Sequence, residues 1–85
     1  MKINCLVVDD EPLAAELVAT HIAKTPELAL VGTCGNAIEA FSILQREPID
    51  LLFLDIQMPR MTGWDLLKSL PNKPYVVITD RKSVV

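Results

Sequence analysis

The chain has 85 residues, 51% of them hydrophobic and 22% charged, with a formal net charge of −3. That length allows one small domain, which buries only about 60–65% of the surface its unfolded form exposes. The mild acidity, without any basic run, excludes direct tracking of a nucleic-acid backbone, and no stretch reaches the roughly 18 consecutive apolar residues of a membrane span.

The residues after Met1 and Lys2 do not read as a secretory signal, because the apolar run stops at Asp9, Asp10 and Glu11. A cytoplasmic location is expected. Cys5 and Cys34 form no CxxC pair and read as buried thiols.

Residues 3–8 are nearly all apolar and end at three acids, the pattern of a strand buried on both faces. Glu11-Pro12 then opens a helix. Proline suits its first turn, and Leu13, Leu17, Val18 and Ile22 keep helical spacing to about Lys24, where Thr25-Pro26 breaks it. Residues 28–33 read as a second strand, with Gly32 and Gly35 punctuating its exit. Asn36 suits the N-cap of a helix over residues 37–46, whose apolar stripe is Ile38, Phe41 and Leu44 with Ala40 alongside; Glu47-Pro48 stops it. Residues 51–54 make a third apolar strand ending at Asp55. A loop over residues 56–62 contains Met58-Pro59, residues 63–70 form a short third helix, and Pro71 and Pro74 bracket the next turn. Residues 75–79 are a fourth strand. This alternation predicts an α/β fold with a parallel sheet, and right-handed crossovers put helices on both of its faces.

Acids therefore sit where two strands end. In open parallel sheets, ligands bind beyond the carboxyl ends of the strands, where the strand order reverses. If the first and third strands are neighbours, the carboxylates of Asp9, Asp10 and Asp55 converge there. Like charges a few Å apart raise one another's pKa, and a divalent cation relieves the repulsion. An all-oxygen set with room for water suits Mg²⁺. Metal and exposed carboxylate together can accept a phosphoryl group in line, and Thr79 would bring a hydroxyl to the same rim.

Taken singly, each residue has a plainer role. Asp9, Asp10 and Glu11 suit a helix N-terminus, Asp55 a turn and Thr79 any strand. His21 reads as a surface or half-buried helix residue, with a phosphorelay histidine as the alternative. Trp64 reads as a packing anchor. Cys5 and Cys34 fall at opposite ends of a parallel pair, beyond disulfide reach.

Taken jointly, the pattern resembles the receiver domain of two-component response regulators, with its flavodoxin-like (CheY-like) doubly wound parallel sheet. The matching residues are Val7-Val8-Asp9-Asp10-Glu11-Pro12, then Leu54-Asp55-Ile56-Gln57-Met58-Pro59-Arg60-Met61-Thr62-Gly63, then Val77-Ile78-Thr79. The resemblance implies that Asp55 is the phosphoacceptor. It implies that Asp10, Asp55 and the Gln57 backbone carbonyl ligate Mg²⁺ directly, with Asp9 acting through water. Thr79 becomes the switch hydroxyl, and Pro59 and Gly63 shape the loop behind the acceptor. The implied phosphodonor is a sensor histidine kinase, with the receiver assisting its own phosphorylation rather than turning over substrate. Asp10-Glu11-Pro12-Leu13-Ala14, the Asp50 to Pro59 run and Lys73-Pro74-Tyr75-Val76-Val77 are similar to receivers of LytTR-type transcriptional regulators. In those, DNA is bound by a C-terminal domain that this chain does not contain.

The resemblance covers residues 1–79, read as a partial receiver of four strands and three helices. The family's unit has five of each, in strand order 2-1-3-4-5. The phosphate-contacting lysine of its fifth strand has no counterpart here, and Asp80 follows Thr79 where the family has a small residue. Residues 80–85 read as a tail foreign to the family, of the kind a sequencing artefact leaves. The fourth strand is then an exposed edge, and self-association through Val76, Val77 and Ile78 is expected. Two other functions compete: a receiver-like interaction scaffold that no longer accepts phosphate, and a metal-dependent phosphatase. Phosphatases of the haloacid-dehalogenase type carry a second Asp two positions after the nucleophile, where this chain has Gln57.

Overall fold

The computed structural model describes residues 2–55, 68 and 74–79. Its strands are β1 (Ile3–Val8), β2 (Leu28–Cys34), β3 (Leu51–Asp55) and β4 (Tyr75–Thr79), and its helices α1 (Pro12–Ala23) and α2 (Ala37–Arg46). The strands form one parallel sheet in the order β2-β1-β3-β4. This is the parallel α/β sheet expected from the alternation, in the flavodoxin-like order that the resemblance implies. Of the expected third helix only Lys68 is described, and it is helical and exposed; Trp64 and the 56–62 loop lie outside the described residues. Among the described residues no helix is long and apolar enough to cross a membrane.

β1 is the central strand because its side chains are apolar on both faces. Leu6 and Val8 pack with Leu52, Leu54, Ala37 and Ala40 on the α2 side. Cys5 and Val7 pack with Ala15 and Ile22 on the α1 side. Each of these β1 residues is at most 1% exposed. The carboxy-terminal ends of β1 and β2 are joined by the Asp9 N–H, which donates to the Cys34 carbonyl at 3.0 Å. At the opposite ends, the Asn4 N–H donates to the Asp50 carboxylate and its side-chain amide to the Pro48 carbonyl, both at 2.9 Å. The Tyr75 N–H completes this tie by donating to the Asp50 carbonyl at 3.0 Å.

α2 carries the N-cap its sequence suggests, whereas Glu11, the N-cap of α1, makes no side-chain capping bond. Pro12 opens α1, and Thr25 closes it by donating its hydroxyl proton to the His21 carbonyl at 2.9 Å. Asn36 caps α2 by accepting the Glu39 N–H at 2.7 Å, which satisfies one of the helix's unpaired donors.

The faces of the helices differ from the expectation. Leu13 and Leu17 were expected in the core stripe of α1 but are 74% and 60% exposed; the buried residues are Ala15 and Ile22, with Val18 half-buried. Ile38 of α2 is likewise 75% exposed, while Ala37 and Ala40 are buried and Phe41, Ile43 and Leu44 pack partly beside them. Each helix carries more than one apolar set at helical spacing. The set containing alanines is the one that lets the helix axis approach the sheet closely. Two boundaries move by one residue: α1 ends at Ala23, and β2 runs on to Cys34.

Cys5 and Cys34 are free and buried, and the register pairs them with different partners, Cys5 with Leu30 and Cys34 with Val8. Burial, and secondarily the Glu39 carboxylate, pushes the Cys34 thiol up from 9.0 to about 12. Burial also raises Cys5.

Leu6→Ala should cost about 2–5 kcal/mol in urea unfolding, whereas Leu13→Ala should stay within about 0.5 kcal/mol. The thiol adds a pH signature. The raised Cys34 pKa contributes stability that is complete below pH 9.0 and is lost as the pH climbs towards about 12, because the unfolded chain ionises first. Melts recorded across that window should therefore fall less steeply for Cys34→Ala than for the wild type.

Candidate functional site

The strand order places the site. The chain runs from β1 outward to β2 through α1, then returns across β1 to β3 through α2, so the direction of winding reverses between β1 and β3. Val8 pairs with Leu54 in that ladder, so the next residues along, Asp9 and Asp55, stand side by side at its carboxyl end. Asp10 follows in the turn into α1.

The three carboxylates each bring one oxygen to within 4.8 Å of the others. Asp9 and Asp55 are buried, at 4% and 1% exposure, while Asp10 is more open. Burial of two like charges so close together carries a desolvation and repulsion cost that the fold must offset. Part of the compensation is visible: Asp9 Oδ1 accepts the Glu11 N–H at 2.9 Å at the entrance of α1. Among the described residues no buried side-chain nitrogen or oxygen lacks a hydrogen-bond partner. Asp9 thus makes a local turn contact ahead of α1, whose N-cap Glu11 makes no side-chain capping bond, and it also stands in the carboxylate cluster.

The donor set fits a small hard cation. Opposed oxygens on Mg²⁺ stand about 4.2 Å apart, twice its usual ligand distance. A cluster whose members lie within 4.8 Å thus needs only a small adjustment, or one water, to close on a single ion. Oxygen-only ligands and partial solvent access both suit Mg²⁺ over zinc.

Thr79 is paired with Asp55 across the β3–β4 ladder, at the same end of the sheet. It also lines an apolar trough on the α1 face with Val18, Ile22, Phe53 and Val77. Gln57, Met58, Pro59 and Gly63 lie outside the described residues. His21 is exposed on α1 and borders the trough rather than the carboxylate cluster.

One feature was not anticipated. A groove of about 500 Å³ opens between α1 and β2 and runs to the cluster, lined by Asp9, Asp10, Ala15, Glu16, Thr33 and Glu39 among others. The Asn-x-x-Glu spacing of Asn36 and Glu39 signals a helix start, but the closeness of Glu39 to the β1 end arises only when α2 folds back over the sheet.

The comparisons agree with this geometry. The family described as "Response regulator receiver domain" matches residues 5–83. An uncharacterized response regulatory protein of Shewanella oneidensis is 44% identical over 87 residues, which cover 96% of this chain and 37% of that protein. The transcriptional regulatory protein BtsR of Escherichia coli is 40% identical over 77 residues, covering 88% of this chain and 32% of BtsR. The chain thus spans about a third of the length of these relatives. The crystal structure of the response regulator domain of Thermotoga maritima CheB superposes with a TM-score of 0.85 at 27% identity, covering 94% of this chain and 61% of that one. Sheet order, the carboxylates at the end of β1 and β3, and the sequence match converge on one conclusion: the chain belongs to the response regulator receiver domain family of two-component systems.

Proposed function

We propose that Asp55 is the phosphoacceptor of this receiver and that a sensor histidine kinase supplies the phosphoryl group. The observation that carries this reading is the convergence of Asp9, Asp10 and Asp55 within 4.8 Å at the reversal of the sheet. Mg²⁺, held by Asp10, Asp55 and the Gln57 backbone carbonyl, with Asp9 acting through water, would neutralise charge on the incoming phosphoryl oxygens. In the transfer, an Asp55 oxygen attacks phosphorus in line and the P–N bond of the donor phosphohistidine breaks. The bonding pair returns to the imidazole, and an aspartyl phosphate remains. Asp9 meanwhile keeps the α1 entrance fixed through its bond to the Glu11 N–H, so that the acids hold their positions. The Thr79 hydroxyl is assigned as the switch that moves towards the phosphoryl oxygens.

Receivers are generally signalling modules rather than turnover enzymes, and this chain is read in the same way. Its relatives include a transcriptional regulator, which supports a parent protein that binds DNA through a separate C-terminal domain, of LytTR type by the resemblance. We place it in the cytoplasm, where the kinase's phosphohistidine would reach it. Residues 1–79 are assigned to the receiver and 80–85 to a foreign tail, although the family match runs to residue 83. Encoding DNA that carries these six codons in the genome itself would remove that last assignment.

A second reading has one observation in its favour: Asp80 directly follows Thr79 in the sequence, where the family has a small residue, as would suit a scaffold that no longer accepts phosphate. One experiment separates them. With Mg²⁺ and acetyl phosphate, the wild type should gain one base-labile phosphoryl group by mass spectrometry, and Asp55→Ala none. Chelating the metal should abolish labelling, and Asp10→Asn should raise the Mg²⁺ concentration needed by about tenfold or more. A wild type that stays unlabelled under conditions that preserve its fold would favour the scaffold, and continuous release of phosphate would favour a phosphatase.

A further inference from the structure

We propose that the groove between α1 and β2 binds a small organic cation with an apolar body, and that this ligand and Mg²⁺ oppose one another at the shared carboxylates Asp9 and Asp10. The binding is independent of whether Asp55 accepts phosphate. The opposition rests on the reading that Mg²⁺ occupies the carboxylate cluster.

The groove has the size and the lining of a ligand site. Its volume of about 500 Å³ falls within the roughly 300–1,000 Å³ of small-molecule pockets. Away from the carboxyl end of the sheet its walls are apolar, supplied by Ala15 and Ala19 of α1 and Leu30 of β2. The strand itself shapes this part. Its register with β1 slips between Cys5 and Leu6, so that Leu30 and Gly32 are paired and Val31 is skipped. A bulge bends its strand and re-aims side chains, and Leu30 beside it stands 40% exposed at the groove.

Towards the carboxyl end the lining becomes acidic. Asp9 and Asp10 stand there, Glu16 lies one turn after Pro12 on α1, and Glu39 belongs to the first turn of α2. Among the described residues that line the groove none is basic. The Glu39 charge is felt at the groove wall, where it helps to hold the Cys34 thiol protonated. Carboxylates at one end and an uncovered apolar wall at the other complement a positive head on a hydrocarbon body: the head gains Coulomb energy while the body removes apolar surface from water. An anion or a neutral polar ligand would satisfy neither part. Asp9 and Asp10 belong to this groove and also to the cluster that would hold Mg²⁺. Each cation therefore weakens the other by the same factor.

Hexylguanidinium is a suitable probe, titrated into the metal-free 85-residue chain and followed by amide NMR. Shifts should concentrate at Ala15, Ala19, Thr33 and Gly35. The affinity should exceed that of guanidinium or of hexanol, each carrying half of the chemistry, by about tenfold or more. Glu16→Gln and Glu39→Gln should each weaken binding about two- to fivefold. Glu27→Gln, an exposed acid just before β2 at the opposite end of the sheet, should leave it unchanged. Ala19→Trp should fill the groove and abolish binding with the far-ultraviolet circular dichroism unchanged. Saturating Mg²⁺ should raise the dissociation constant about fivefold or more, and Asp10→Asn should remove that rise. Shifts scattered over the surface, an affinity no better than that of guanidinium, or equal weakening by Glu27→Gln overturn the site. Mg²⁺ that moves the Asp55 amide yet leaves the affinity unchanged overturns the opposition. Mg²⁺ that fails to move Asp55 defeats the metal reading instead, and the metal-free titration still decides the groove.

Discussion

The burial of β1 between β2 and β3 is the constraint on which everything else rests. Cys5, Leu6, Val7 and Val8 are apolar on both faces, so water is removed from each side only if a helix covers each side. That requirement sends α1 and α2 to opposite faces and puts β1 and β3 side by side. The same pairing delivers Asp9 and Asp55 to one point. The carboxylate cluster is thus a by-product of core burial: charges that would not choose to meet are brought together because the hydrophobic residues preceding them must.

The close approach of the helices explains how so small a unit manages this. α1 presents Ala15 and α2 presents Ala37 and Ala40 to the sheet, and these small side chains are buried against it. The larger residues Leu13, Leu17 and Ile38 are left facing outward. Hydrophobic burial is proportional to area removed from water, but a bulky side chain under the axis would hold the helix off the sheet and cost the burial of its neighbours. The alanines win because the backbone comes with them.

Electrostatics and packing meet at the end of β1. The Asp9 backbone N–H bonds Cys34 of β2 while its carboxylate bonds the first turn into α1. The thiol of Cys34, buried beneath and near Glu39, is held protonated well above its ordinary range. A buried neutral group thus lies on one side of this corner and a hydrogen-bonded carboxylate on the other, while Asp10 stays more open to solvent.

Much of the fold was legible in the amino-acid order. Short apolar runs ending in acids, the Asn36 cap and the proline breaks are local patterns, and each depends on a few neighbouring residues. The receiver resemblance was legible for the same reason, since its motifs lie within short segments around Asp9-Asp10 and Asp55. Other features were not legible. Which apolar set of α1 and α2 turns inward, the slip in the β2 register and the entry of Glu39 into the groove are decided by how closely whole elements pack. The dual use of Asp9 needed the structure too, because a side chain that holds the turn into α1 and also faces another strand's carboxylate is defined by two distant segments at once. The sequence by itself determined which residues form strands and helices and which acids end them, because backbone preference and hydrophobic period are local. Only the tertiary structure decided which faces are buried and which carboxylates meet, because close packing is a property of the assembled layers.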